Sequence, residues 1–284
     1  MAKAEVHRTA IVEGDVTLAE GVRIGPNCVV LGTCGPVVLG PRTTLVSTVH
    51  VNGPIVLGEG NTAYPGASLG FAPQDLGFDP QAPGPGLVIG DRNTFREGVT
   101  IHRGKTTEPT RIGHRNFFMV NSHVGHDAVV HDHCIFANGA LLAGHVIVED
   151  RVIMAGNAFL HQFCRVGKGV MFSGGIGSSL DVPPWFTVTA SNLAGSINLV
   201  GMRRNGLSTA QIATVKWIYH TMYRTGGTPQ QALPALEARA DDPLVAEYIA
   251  FIRASKRGIC HGAGRSTRGT AERSPSFSLM QDEA

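Results

Sequence analysis

From Ile112 to Gly177 the chain repeats every six residues. Each hexad opens on a large apolar side chain: Ile112, Phe118, Val124, Val130, Phe136, Leu142, Val148, Met154, Leu160, Val166 and Phe172. The fifth position is small, β-branched, Cys or Asn, as at Asn116, Ala128, Cys134, Ala140 and Ala158. Eleven hexads run without a break, and partial runs from Leu18, Leu57 and Ile89 extend the pattern toward the start. A period of six fits neither the 3.6 of a helix nor the alternation of a free strand. It fits a β-solenoid, in which a short strand is followed by a corner and one large residue per face points inward. Three hexads close one triangular coil of 18 residues, and successive coils pair at roughly 4.8 Å.

Two stretches break the period. Residues 71–86 (FAPQDLGFDPQAPGPG) are rich in Pro and Gly and predict a loop leaving the coil; a shorter one is expected at about 106–111. Loops thrown from one edge of a solenoid often carry its function. The repeat fades after Ser178, and Asp181–Pro184 mark its exit, because proline cannot donate to a strand ladder. Ser208 then caps a predicted helix to about Arg224, stopped by Gly226 and Gly227, with two more helices near 229–240 and 243–257. The expected organisation is a mainly β solenoid over 1–190, a helical region over 191–257 and a disordered tail over 258–284.

Composition narrows the function. Glycine makes up 36 of 284 residues, about 13% against a usual ~7%, which suits many tight corners. No apolar run reaches the ~18 residues of a membrane span, and the first twenty residues do not form a signal peptide, so a cytoplasmic protein without membrane insertion is expected. Residues 1–200 hold 13 Lys/Arg against 15 Asp/Glu, and residues 201–284 hold 11 against 7. That excess is too slight for a nucleic-acid partner. Five cysteines without a C-x-x-C pair indicate neither a disulfide scaffold nor a zinc site. Cys28, Cys34, Cys134 and Cys164 take the fifth position, and buried fillers are predicted there.

Spacing of 18 turns sequence into contact. The hexads opening at Val124, Leu142 and Leu160 stack on one side, and His126, His145 and His161 gather at their corners, with His123 just before them, over about 10 Å. Imidazole is the side chain best suited to moving a proton near neutral pH. Asp127 follows His126 and could orient its ring, although neighbours along a strand face opposite ways. Gly144 occupies the coil position of His126 one turn on and offers an unshielded backbone N–H as an oxyanion donor. No G-x-S-x-G is present and the cysteines point inward, so direct attack by a substrate hydroxyl is favoured over a covalent acyl-enzyme. His126 and His131 have the close pairing of a solenoid metal site, but the matching third position is Gly90. No metal and no cofactor are expected.

The runs VTIHRG (99–104), NSHVGHD (121–127), LAGHV (142–146), HQFC (161–164) and DVPP (181–184), in this order, resemble the bacterial UDP-N-acetylglucosamine O-acyltransferase family over about residues 5–257. The resemblance implies a left-handed parallel β-helix that assembles as a homotrimer. It also implies transfer of a hydroxyacyl chain from acyl carrier protein to a UDP-sugar acceptor, as the first step of lipid A synthesis. Carried over by motif, His126 is the general base and Gly144 the oxyanion donor, while His123, His145, His161 and Gln162 line the sugar and acyl groove. Gln74 and Asp75 match a Q-D-L element that touches the sugar across the subunit boundary, and Asn198 matches a nucleotide-binding asparagine. Gly174 would keep the acyl channel open, and Arg203 and Arg204, read as starting a helix, would meet a diphosphate or the acidic carrier protein. The chain departs from the family at Gly77, Val200 and Asn205, all on the nucleotide side. A paralogue for another sugar nucleotide and a non-catalytic trimeric scaffold are the alternatives.

Overall fold

The computed structural model describes residues 3–225 and 227–263. It is the expected parallel β-helix, a solenoid of about ten coils with three walls of short strands. The first wall runs from Glu5–Val6 to Met171–Phe172, the second from His50–Asn52 to Gly177–Ser178, and the third from Ile55–Leu57 to Arg165–Val166. Strand Val29–Leu39 joins the second and third walls, pairing with His50–Asn52 through its start and Ile55–Leu57 through its end. The predicted register holds: Val124 pairs with Leu142 and Leu142 with Leu160, 18 residues apart each time.

The first and fifth residues of the hexads form the core. Val124, Leu142, Val148, Ala140 and Ala158 are fully buried. Along the first wall Phe95, Phe118 and Phe136 stack face to face, with centroids 5.3 and 4.7 Å apart. Buried asparagines at the fifth position link coils: the backbone N–H of Asn93 donates to Asn61 Oδ1 (2.9 Å), and that of Asn116 to Asn93 Oδ1 (2.8 Å). An amide suits this position because it serves both a donor and an acceptor of adjacent corners, leaving no buried polar atom unpaired.

Cys28, Cys134 and Cys164 are buried fillers, but Cys34 is only half-buried. It lies in the eleven-residue strand Val29–Leu39, which breaks the hexad register, and its thiol faces the backbone oxygen of Gln81 in the long loop. The expected boundary at 190/191 falls in the turn of an antiparallel hairpin, Phe186–Ala190 with Leu193–Ile197, that closes the last coil. Among the described residues four helices follow: α1 (Leu199–Arg204), α2 (Thr209–Tyr223), α3 (Leu233–Glu237) and α4 (Pro243–Ala254). Helix α2 opens on a capping box of Ser208 and Gln211, as Ser208 predicts. Phe186 packs against Tyr219, Tyr223 and Tyr248, fastening the helices to the coil end. The chain stays ordered past 258: Ile259 and Cys260 are buried, and His261–Gly262 pairs with Leu193–Ile197. Gly226 and the rest of the expected tail, 264–284, lie outside the described residues. Among the described residues no helix is long and apolar enough to cross a membrane.

Candidate active site

A groove of about 690 Å³ runs along the outer face of the second wall and over the corner that follows it. Its polar end is lined by Gln74, Asp75, His102, His123, His126 and Gly144, and His161 and Gln162 continue the same edge. Its apolar end is lined by the exposed side chains of Leu141 and Phe159 and by the backbone of Gly177.

The corner geometry builds the acid–base pair. Asp127, His145 and Phe163 hold the same corner position in three successive coils with φ of 57°, 60° and 66°, the left-handed region that Asp and His tolerate better than most residues. That turn folds the Asp127 carboxylate back onto its neighbour, and His126 Nδ1 meets Asp127 Oδ2 at 2.6 Å. The strand-based objection to this pairing therefore does not apply, because Asp127 sits at a corner. Asp127 Oδ1 also accepts from the Thr106 N–H (2.9 Å) and the Thr106 hydroxyl (2.7 Å), while the Lys105 N–H lies 3.2 Å from both oxygens. Burial pushes the Asp127 carboxyl up, but the hydrogen bonds from His126 and Thr106 outweigh it and hold the group below the ordinary range. The carboxylate therefore stays charged and fixes which face of His126 is presented.

That face looks at Gly144. A Cβ added to Gly144 would lie 2.9 Å from His126 Cε1 and 3.0 Å from Nε2, so only glycine leaves the ring room. Among the described residues no acceptor takes the Gly144 N–H. An imidazole nitrogen and a backbone N–H without an acceptor thus lie side by side, the pair of groups that proton removal beside a developing oxyanion requires.

The other imidazoles support this centre unequally. His145 lies edge-on to His126 at 5.3 Å, stacks on Phe163 at 4.5 Å and brings Nε2 to 3.7 Å from Asp127. Burial pushes its pKa down against the pull of Asp127. It turns toward a second recess with Phe163, Arg165 and Arg257. His123 bonds to the Thr100 hydroxyl through Nδ1 (2.7 Å), and burial depresses it. The exposed His161 lies 3.3 Å from the Arg257 guanidinium. The donor atoms of His126, Asp127 and His145 lie within 4.8 Å of one another. Asp127 already accepts from four donor groups, and of the two imidazoles only His126 is within hydrogen-bond distance of it.

Spacing alone missed His102, a groove residue packed edge-on to His123 at 5.0 Å. The strand register shifts between Ile101 and His102, and their run of hexads from Ile89 is out of step with that from Ile112. Burial and the nearby His123 and His126 lower its pKa from the ordinary 6.5 to about 4. Between these values the unfolded chain holds a proton that the folded one does not, so this contribution is complete above 6.5 and is lost as pH falls toward 4. Replacing His102 with Gln is expected to flatten the fall of stability with acid, measured by urea unfolding at several pH values.

Gln74 and Asp75 line the groove of their own chain. The long loop is pinned by Arg103, a fully buried guanidinium that donates to the carbonyls of Gly70 (3.0 Å), Pro80 (3.0 Å) and Ala82 (2.7 Å). Five of the expected groove and nucleotide residues lie outside the groove within one chain: His145, which lines the second recess, and Gly174, Asn198, Arg203 and Arg204. Gly174 sits at the opposite corner of the second wall, against the Gly156 carbonyl. Asn198 is buried, caps α1 by accepting from Gly201 N, and donates to the Gly169 carbonyl. Arg203 and Arg204 close α1 and do not start a helix; both are exposed.

A solenoid of hexads carrying an acid–base pair and a free N–H at one corner defines the hexapeptide-repeat transferase class. A family model described as bacterial transferase hexapeptide (six repeats) matches residues 109–144, and one described as UDP-N-acetylglucosamine O-acyltransferase, domain 2, matches 181–260. The chain is 43% identical to the acyl-[acyl-carrier-protein]–UDP-N-acetylglucosamine O-acyltransferase of Anaeromyxobacter sp. (strain Fw109-5), over 73% of this chain and 81% of that one. The enzyme of the same name from Ectopseudomonas mendocina (strain ymp) is 43% identical over 70% and 78%. The Francisella novicida UDP-N-acetylglucosamine acyltransferase structure superposes with a TM-score of 0.84 at 31% identity, covering 92% of this chain and 95% of that one. The Acinetobacter baumannii structure gives 0.83 at 36%, covering 90% and 99%. The chain belongs to the UDP-N-acetylglucosamine O-acyltransferase family.

Proposed function

We propose that this chain transfers an acyl group from the thioester of acyl carrier protein to the 3-hydroxyl of UDP-N-acetylglucosamine, the first step of lipid A biosynthesis. The observation that carries the reading is His126, tied to Asp127 at 2.6 Å on one nitrogen and facing Gly144 with the other. His126 Nε2 takes the proton of the sugar hydroxyl as its oxygen attacks the thioester carbonyl. The Gly144 N–H donates to the oxyanion, and the tetrahedral intermediate collapses by expelling the carrier thiol, which recovers the proton from His126. Asp127 orients the ring and balances its transient charge. Gln74, Asp75, His123, His161 and Gln162 hold the sugar, and the acyl chain lies along Leu141 and Phe159.

The working form is a homotrimer, consistent with the exposed apolar side chains of Leu141, Ile147, Phe159 and Phe163 along this edge. A second copy would bring its Asn198, Arg203 and Arg204 surface toward the nucleotide, and its Gly174 region toward the acyl chain. The reaction belongs in the cytoplasm, where acyl carrier protein is loaded, and needs no cofactor. The test is an acyl-transfer assay with purified protein, carrier thioesters of several chain lengths and a panel of UDP sugars. The reading expects UDP-N-acetylglucosamine to be the fastest acceptor and its 3-hydroxyl to carry the ester. Faster transfer to another UDP sugar would point to a paralogous acceptor, and inertness with every pair would overturn the reading.

A further inference from the structure

The catalytic pair is held by a loop outside the repeat. Corner carboxylates elsewhere in the solenoid accept the backbone N–H of an adjacent coil: Asp91 from Glu59 (2.7 Å), Asp132 from His114 (2.7 Å) and Asp150 from Asp132 (3.0 Å). Those contacts brace the coils. Asp127 differs, since besides His126 its carboxylate takes its hydrogen bonds from Lys105 and Thr106, in the excursion between Thr100–His102 and Thr110–Ile112. The solenoid does not need that excursion for continuity, because Thr110 resumes the third wall in register with Leu87. The same few residues reach the other loop as well. Lys105 Nζ meets Asp75 Oδ2 at 2.6 Å, both side chains being about one-third exposed at the groove rim. Gly104 donates to the Gly86 carbonyl at the base of that loop.

We propose that Lys105 and Thr106 form a clasp of two positioning residues: Thr106 sets the Asp127 carboxylate that aims His126, and Lys105 sets Asp75 at the acceptor end of the groove. The clasp rests on the proposed base role of His126. It divides the work, because one residue acts through the reacting pair and its neighbour through the acceptor-holding loop. A hydroxyl donating to a charged, half-buried carboxylate matters most when the imidazole must gain charge, which is in the transition state. An ion pair that fixes a binding loop matters already in the ground state.

Steady-state kinetics of the full-length protein test this. With the other donors to Asp127 intact, Thr106→Val is expected to lower kcat about tenfold, with the acceptor KM changed less than about twofold. Thr106→Ser, which keeps the hydroxyl, should restore the rate. Lys105→Met should show the opposite split, raising the acceptor KM about fivefold while kcat falls less. In an Asp127→Ala background the Thr106→Val change should cost almost nothing further, as expected when one residue acts through the other. Equal losses of kcat and KM in both variants, together with a lowered melting temperature, would mean simple scaffolding and overturn the clasp. Wild-type kcat in Thr106→Val beside an inactive His126→Ala would overturn the clasp and leave the base role standing. An active His126→Ala would instead remove the reading beneath it.

Discussion

His126→Ala is expected to lower kcat by about 10² to 10⁴ while the protein stays folded, the range over which a positioned general base contributes. The fold should survive because the His126 side chain projects from a corner and fills no part of the core. Its backbone oxygen, which accepts from His145 N at 3.0 Å, is kept by alanine. The lower end of the range applies if His145 takes over. That imidazole shares Asp127 and lies 5.3 Å from His126, but it stacks on Phe163 and faces away from Gly144. Turnover and melting temperature, measured on one preparation, check both halves of the expectation. A mutant with near wild-type turnover would remove His126 as the base.

The second large effect is expected from a single methyl group. Gly144→Ala places a Cβ 2.9 Å from His126 Cε1 and 3.0 Å from Nε2, closer than carbon atoms pack. The ring cannot swing aside without giving up its 2.6 Å bond to Asp127. Either the ring tilts off the attacking hydroxyl or the corner carrying the oxyanion donor moves, and a displacement of about 1 Å costs on the order of 10²-fold in rate. A fall of kcat by about 10² or more is therefore expected, with thermal stability little changed because the clash lies at the surface edge. Gly156→Ala is the steric control: its Cβ would meet only the Asn138 carbonyl at 3.5 Å, an ordinary contact, so its melting temperature should match the wild type.

The solenoid could be read from the sequence because each face sends one large residue into a narrow core, and that requirement prints a period of six. The same arithmetic placed His126 beside Gly144, since a stride of 18 is a physical stack. Three kinds of feature left no such mark. The pairing of His126 with Asp127 depends on a positive φ at one corner, invisible to a strand-based reading. His102, Lys105 and Thr106 fall in the partial run from Ile89, which is out of step with the hexads from Ile112, so a stride of 18 does not stack them on the His126 corner. Helix α1, only six residues long, has no amphipathic pattern to detect, which is why Arg203 and Arg204 were expected at a helix start. Asn198 carries a structural role that its motif does not print: the side chain caps α1. Cys34 follows from a similar cause, since the long strand Val29–Leu39 abandons the hexad after Val30.

In the proposed mechanism the sugar oxygen attacks the thioester itself, and the acyl chain is never bonded covalently to the protein. The most direct measurement combines intact-protein mass with a single turnover: enzyme is held with acyl carrier thioester alone, then UDP-N-acetylglucosamine is added and the ester is followed. The predicted result is a protein of unchanged mass before the sugar arrives. Ester then forms only with both substrates present, slowed in His126→Ala by the same factor as kcat. A protein heavier by one acyl chain before any sugar is added would contradict it.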